Sequence, residues 1–339
     1  MKGRAMLNFK QVTMAAAVGA IALTMTAMPA TAKERLKMST IAPGTSMYLV
    51  MTTMANLINQ NQNDIEISVD ATGAATKHMV DVGRGKIDMS MTSPTVHMLM
   101  SRGIAMYKKL KEAPKLAKNL RILFWFPLGP YHYVTYANSG IKTLKDIKGK
   151  KVFLGPPGGG QWATARTFLQ GVTGYKVKSD YKNVKASFSA ALQGFQDRQI
   201  DVYTIGCLDP CAQLQQLTAT SKIRMLGTDI KDGRTIPGLK KYWIPGREWT
   251  SIAPDAYGKN QVNDTPVYVN GAVVGVTARA SLPDATTYKM MKTFWPALEK
   301  IRANAPWTRD VTMKYATQKF AMPFHPGAAK YYKEIGAMK

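Results

Sequence analysis

The sequence predicts an α/β protein of two domains whose loops face each other across a cleft. Three observations carry that reading. A strand–loop–helix rhythm repeats three times over 36–93, an apolar strand feeds a glycine loop at 151–162, and two strand-like runs at 120–126 and 131–136 stand between these blocks. With 339 residues, 45% of them apolar, the chain is long enough for two modest cores rather than one.

Residues 1–32 stand apart from that fold. Lys2, Arg4 and Lys10 bracket the basic start, 11–28 is uncharged, and Pro29-Ala30-Thr31-Ala32 puts small residues just before Lys33. A basic start, an apolar middle and a small-residue end describe a secretory signal peptide cut near Ala32. A retained membrane anchor is the rival, which Pro29 and the small residues oppose. Beyond it no uncharged apolar run reaches the ~20 residues that span a bilayer. The expected location is the periplasm.

The first domain opens with a strand at 36–39 and a loop through Ser46. Over 47–59, Met47, Val50, Met51, Met54, Leu57 and Ile58 recur at helical spacing. Ile65, Ile67 and Val69 alternate as a second strand, followed by a loop holding Thr72 and Gly73 and a helix that ends at Gly83-Arg84-Gly85. The third strand is 87–91, and Ser93 before Pro94 is a helix start signal. In sheets of this kind the ligand crevice lies beyond the carboxyl ends of the strands, so Ser46, Thr72 and Ser93 fall on the ligand side.

A lysine-rich region at 102–121 leads to the two runs at 120–136, read as two strands joined at Pro127-Leu-Gly-Pro130 and as the crossing into a second domain. There 151–154 is a strand, with helices after the glycine loop and at 187–195, a strand at 200–205, a helix near Asp209-Pro210 and a strand at 223–226. Residues 229–264 are rich in Gly, Pro, Trp and Tyr and read as irregular loops with short strands. A strand at 272–276 and helices at 283–303 and 308–319 return to the first domain. The expected division is 33–130 with 228–339 for one domain and 131–227 for the other. The phrase Ile87-Asp88 after Gly85-Lys86, and Ile200-Asp201 after Gln199, occurs once per half.

At the glycine loop, Gly158, Gly159 and Gly160 separate the strand from a helix beginning near Gln161 and Trp162. Backbone N–H groups left free at such a helix start converge on one spot, where the helix dipole favours an anion. The plain alternative is a strand-to-helix turn that binds nothing. Neither a Gly-Lys-Ser/Thr phosphate loop nor a dinucleotide fingerprint is present.

The formal charge of +25 raises nucleic acid as a partner, but export and the scatter of lysines among apolar residues argue against it. A solvated lysine-rich surface and a field that draws in acidic ligands are the two readings of that charge. Cys207 and Cys211 are the two cysteines; a local disulfide and two free thiols both stay open. Four histidines, at 78, 97, 132 and 325, show no metal-ligand spacing, and no cofactor or metal is expected.

The series Ala71-Thr72-Gly73, Gly85-Lys-Ile-Asp88, Ile141-Lys-Thr-Leu-Lys-Asp-Ile-Lys-Gly-Lys-Lys-Val152, Gly155-Pro-Pro-Gly-Gly-Gly160 and Gln199-Ile-Asp201, with the tail Pro323-Phe-His-Pro-Gly327, resembles the TAXI-type solute receptors of TRAP (tripartite ATP-independent periplasmic) transporters. The resemblance spans nearly all of 33–339. It implies a two-domain, type II periplasmic-binding-protein fold. It also implies a monomeric, non-enzymatic receptor that delivers a small carboxylate, such as an amino acid or organic acid, to sodium-coupled TRAP membrane subunits. Carried onto this chain, the ligand site comprises Ser46, Tyr48, Thr72, Gly73, Ala74, Ala75, Ser93, Gly158, Gly159, Gly160, Gln161, Trp162, Cys207 and Asp209. Four of these loops depart from the family pattern. Thr72-Gly73-Ala74-Ala75 with His78 replaces Thr-Gly-Gly-Ser with an asparagine, and Pro43-Gly-Thr-Ser-Met-Tyr48 replaces Gly-Gly-Thr-Tyr-Tyr. The glycine loop lacks the Gly-Ser-Gly-Thr hydroxyls, and Gly206-Cys-Leu-Asp-Pro210 replaces Gly-x-Pro. Asp209 in the cleft would suit a solute bearing an amine. Two other classes are carried: a receptor for an ABC importer, which shares the fold, and an enzyme built on it.

Overall fold

A computed structural model describes residues 33–339, so the predicted signal peptide lies outside the described residues. The chain opens β1 (Glu34–Ser39), α1 (Ser46–Asn61), β2 (Ile65–Asp70), α2 (Ala75–Gly83), β3 (Met89–Thr92) and α3 (Pro94–Ser101), which is the predicted rhythm. The reasons are local. In α1 the predicted apolar stripe is buried, and the Thr45 hydroxyl accepts the Tyr48 N–H. In α3 the Ser93 hydroxyl accepts the Val96 N–H at 3.1 Å, with Pro94 at the first helical position. β1 lies between β2 and β3, parallel to both.

After α4 (Ala113–Ala117), β4 runs unbroken from Leu120 to Tyr136. The two strands expected there are one. Its prolines fall where the strand changes partners: residues 120–127 pair with β10 (Val267–Arg279), and residues 131–136 pair with β7 (Val202–Gly206) and β8 (Ile223–Leu226). At that junction few ladder donors are called for, so Pro127 and Pro130 do not break the strand. Gly129 lies between them at φ +92°, and a Cβ there would stand 2.2 Å from the Cys207 carbonyl oxygen.

The rest of the second half is β5 (Lys151–Phe153), α5 (Gly160–Thr173), β6 (Lys182–Asn183), α6 (Phe188–Gln196) and α7 (Ala212–Thr220), with β7 and β8 on either side of α7 in sequence. Strand order is β2-β1-β3-β10-β4-β7-β5-β6, with β8 added on β4 and β9 (Arg247–Ile252) on β10. β10 changes partners as β4 does: 267–272 pair with β9, and 273–279 pair with β4. The repeated Ile-Asp phrase does the same work twice. Asp88 accepts the Lys37 N–H and Asp201 the Lys151 N–H, each at 2.7 Å, and each aspartate donates its own N–H back to that residue's carbonyl.

Residues 229–264, grouped by the sequence with the first domain, bond to both halves: Pro245 and Glu248 accept from Thr95 and Tyr315, and other residues meet the second half. Asn260 donates to the Thr218 carbonyl, Asn263 exchanges two hydrogen bonds with the Met225 backbone, and a Cβ on Gly238 would meet Gly171 of α5. The chain closes with α8 (Asp284–Ile301), α9 (Met313–Ala316) and α10 (Pro326–Glu334). The helix expected over 308–319 shrinks to α9, because the Arg302 guanidinium holds the Thr308 and Val311 carbonyls in a loop and Thr312 starts the helix afresh. His325 is buried and caps α10, its Nδ1 accepting the Gly327 N–H and lying 2.8 Å from the Thr287 hydroxyl. Among the described residues no helix is long and apolar enough to cross a membrane.

Candidate functional site

The loops after β1, β2, β3 and β5 converge with the β4–β10 crossing around a cavity of about 330 Å³. Helix starts supply part of its wall. α2 begins after Ala74 and α5 after Gly159, and neither residue has a side chain to cap the helix. Backbone donors at both starts therefore face the cavity region uncapped, with the helix dipoles adding positive potential. Most of the remaining wall is apolar: Ile41, Met47, Met91, Leu99, Leu128, Phe188 and Val274.

Arg247 is the one charged residue in that wall. It opens β9 opposite Ala272, after a turn closed by the Arg247 N–H on the Ile244 carbonyl. Its guanidinium carbon sits 5.1 Å from the centre of the Tyr242 ring, within cation–π range. Its Nε and Nη1 are buried without a hydrogen-bond partner, and among the described residues it forms no ion pair. The next residue, Glu248, does not neutralise it: strand side chains alternate faces, and Glu248 instead accepts from the Tyr315 hydroxyl at 3.2 Å. Burial raises the pKa of Tyr131 and, more strongly, of Tyr133, with the nearby Arg247 charge pulling the other way. Tyr131 also lines the cavity, which marks this end as its polar end.

Of the residues expected at the site, Gly73, Ala74, Ala75, Ser93, Gly159, Gly160 and Gln161 line the cavity. Their roles are narrower than their positions imply. Ser93 accepts the cap of α3, and the Gln161 amide ties α5 to β7 through the Thr204 carbonyl and the Gly206 N–H. Ser46 is buried beside the cavity but wholly engaged, donating to the Leu128 carbonyl and accepting the Leu208 N–H at 2.5 Å. The others lie elsewhere. Thr72 is exposed and bonds Asp70, while Tyr48 follows the α1 cap, outside the lining. Gly158 and Trp162 border a separate groove with Val177 and Lys185, and Arg166 stacks on Trp162 at 4.7 Å.

Cys207 is joined to Cys211 by a disulfide, with 5.6 Å between Cα atoms, which resolves the two readings the sequence left open. Asp209, within that loop, faces a second cavity together with Arg234, Arg309 and Trp243. That cavity is more polar, and Arg247 borders it too. The Asp209 carboxylate accepts from the Tyr257 hydroxyl at 2.8 Å and lies 3.4 Å from His132 Nε2. Burial alone would raise its pKa, but the His132 and Tyr257 hydrogen bonds and the His132 and Arg309 charges outweigh that and hold it low. Its position does not serve an amine in the first cavity.

Sequence reasoning missed Arg247, Tyr131 and Phe188. Arg247 sits in the segment read as irregular loop, and no local motif points to it. The only available signal was a basic residue between Tyr242-Trp243 and Trp249.

Solved structures share this architecture. The alkanesulfonate-binding protein SsuA of Xanthomonas axonopodis pv. citri, bound to MOPS, superposes with a TM-score of 0.50 at 15% identity, covering 91% of this chain and 81% of its own. The Escherichia coli periplasmic aliphatic sulphonate binding protein SsuA gives 0.46 at 17% identity, over 89% and 79%. DctP7, a Bordetella pertussis extracytoplasmic solute receptor binding pyroglutamic acid, gives 0.45 at 11% identity, over 89% and 93%. The fold is the mixed α/β, type II periplasmic-binding-protein fold. A model of the NMT1-like family matches residues 38–336, nearly the whole described chain, and the protein belongs to the NMT1-like family.

Proposed function

We propose that this protein is an extracytoplasmic solute receptor that encloses a small organic anion in the cavity beside Arg247 and delivers it to a membrane transporter. The observation that carries the reading is the guanidinium itself. Arg247 is half-buried, but its Nε and Nη1 are shut off from solvent with no protein acceptor, so a site that keeps them is poised for a ligand that brings acceptors and the opposite charge. Arginine also presents paired N–H donors that match a carboxylate or sulfonate. A carboxylate delivered to TRAP membrane subunits follows from the TAXI resemblance; a sulfonate delivered to an ABC importer is the second reading, favoured by the likeness to SsuA in fold.

Delivery needs opening and closing. We take the two bodies to be 33–128 with 272–339, and 131–271, exchanging chain where β4 and β10 change partners. Gly129 and Gly271 lie side by side at that exchange, the Gly129 carbonyl 3.5 Å from where a Gly271 Cβ would be. Bonds across the cleft, such as Ser46 to the Leu208 N–H and Thr95 to the Pro245 carbonyl, hold the closed form.

A thermal-shift screen of the protein from Lys33 onward against carboxylates and sulfonates tests the proposal. A true solute at ~100 times its dissociation constant stabilises by about 2.7 kcal/mol. A shift by at least one such anion, with the anion recovered unchanged, supports a receptor. Chemical conversion of the anion would make it an enzyme, and no shift by either class would remove the anion assignment.

A further inference from the structure

Resting on that reading, we infer that the solute is an organic anion with an apolar body, carrying neither an ammonium group nor a row of hydroxyls. The argument is a matching of charges and hydrogen bonds. The cavity wall contains one charged side chain, Arg247, and no aspartate or glutamate. An α-ammonium group entering with a carboxylate would lose its water and find no carboxylate in exchange. Asp209, which the sequence offered for that role, is committed to Tyr257 and faces the other cavity.

Four of the six hydroxyl side chains in the wall already serve the backbone, Thr76 and Tyr131 being the exceptions. Thr95 donates to the Pro245 carbonyl, Thr164 to the Gly160 carbonyl, and Ser93 and Ser187 accept the N-terminal caps of α3 and α6. Few of them remain to receive a polyol. Away from Arg247 the wall is thioether, aliphatic and aromatic: Met47, Met91, Leu99, Met106, Phe188 and Val274. Methionine side chains adapt to apolar bodies of varied outline, so shape selectivity within the class is loose. A volume of about 330 Å³ accommodates on the order of ten water-sized groups, which is the scale of a six- to nine-carbon acid.

Matched pairs test this by calorimetry on the unmodified protein. 4-Methylpentanoate is compared with leucine, which adds only the α-ammonium, and hexanoate with gluconate, which adds hydroxyls. Pentane-1-sulfonate serves as the sulfonate counterpart. The expected result is that the apolar anions bind at least 100-fold more tightly than their ammonium or hydroxylated partners. Leucine or gluconate binding as well as its partner would overturn the inference. If that binding also vanished in Arg247→Met, the receptor reading would stand while the ligand class fell. Binding by none of the compounds would overturn both.

Discussion

Arg247 has a counter-intuitive signature at the scale of single residues. In the unliganded protein its buried, unpaired Nε and Nη1 work against folding, so Arg247→Met should leave unfolding free energy in urea unchanged or higher by about 1 kcal/mol. A loss of several kcal/mol would instead mean that stacking on Tyr242 makes the arginine structural. Ser46 behaves oppositely. Its hydroxyl is the acceptor for the buried Leu208 N–H, so Ser46→Ala should cost about 1–3 kcal/mol in the same urea experiment. An unchanged midpoint would show that water replaces the hydroxyl. The contrast explains what was legible. Ser46 and Ser93 announced themselves as polar residues at helix starts, and both are near the cavity, yet each spends its oxygen on the backbone. Arg247 announced nothing, because its value comes from what surrounds it in space.

Among the elements, the two crossing strands decide the architecture. Gly129 adopts a left-handed φ where a side chain would run into the Cys207 carbonyl, so Gly129→Ala should destabilise by at least about 2 kcal/mol. Chemical denaturation would check this, and a loss below about 0.5 kcal/mol would mean that the disulfide loop yields easily. The early rhythm was readable because α1 and α3 start at side-chain caps and α1 carries a regular apolar stripe. The paired Ile-Asp phrases were readable too, as a three-residue echo that proves to be one hydrogen-bonding device used in both halves. The unity of β4 was not readable. Prolines usually end strands, and only the change of partners at 127–131 excuses them. Likewise the bonds of 229–264 to the second half are long-range contacts, such as Asn263 with Met225, that leave no periodic trace.

For the molecule as a whole, buried histidines set a pH dependence. Burial lowers the pKa of His78, His97 and His325 below the ordinary 6.5, outweighing hydrogen bonds and nearby carboxylates that pull upward. The folded protein therefore binds fewer protons at these sites than the unfolded chain. Their stabilising contribution is whole above pH 6.5 and is lost as pH falls toward the folded values. Glu248 runs the other way: burial raises its pKa above 4.5 despite the Tyr315 bond, so its contribution is present below that value and fades as pH rises through the folded one. His97→Gln should flatten the decline in unfolding free energy between pH 7 and pH 5, and an unaltered slope would contradict the assignment. None of this was visible in the chain, since burial belongs to the fold. The strong positive charge, by contrast, was plain from composition.

The central claim is that an anion sits against Arg247 between the two halves. Its most direct test is isothermal titration of the best anion from the screen into the unmodified protein and into Arg247→Met. The account predicts saturable one-to-one binding that weakens at least about 100-fold in the variant, while its folding is intact. Equal affinity in the two proteins would contradict it, and would move the ligand away from Arg247 altogether.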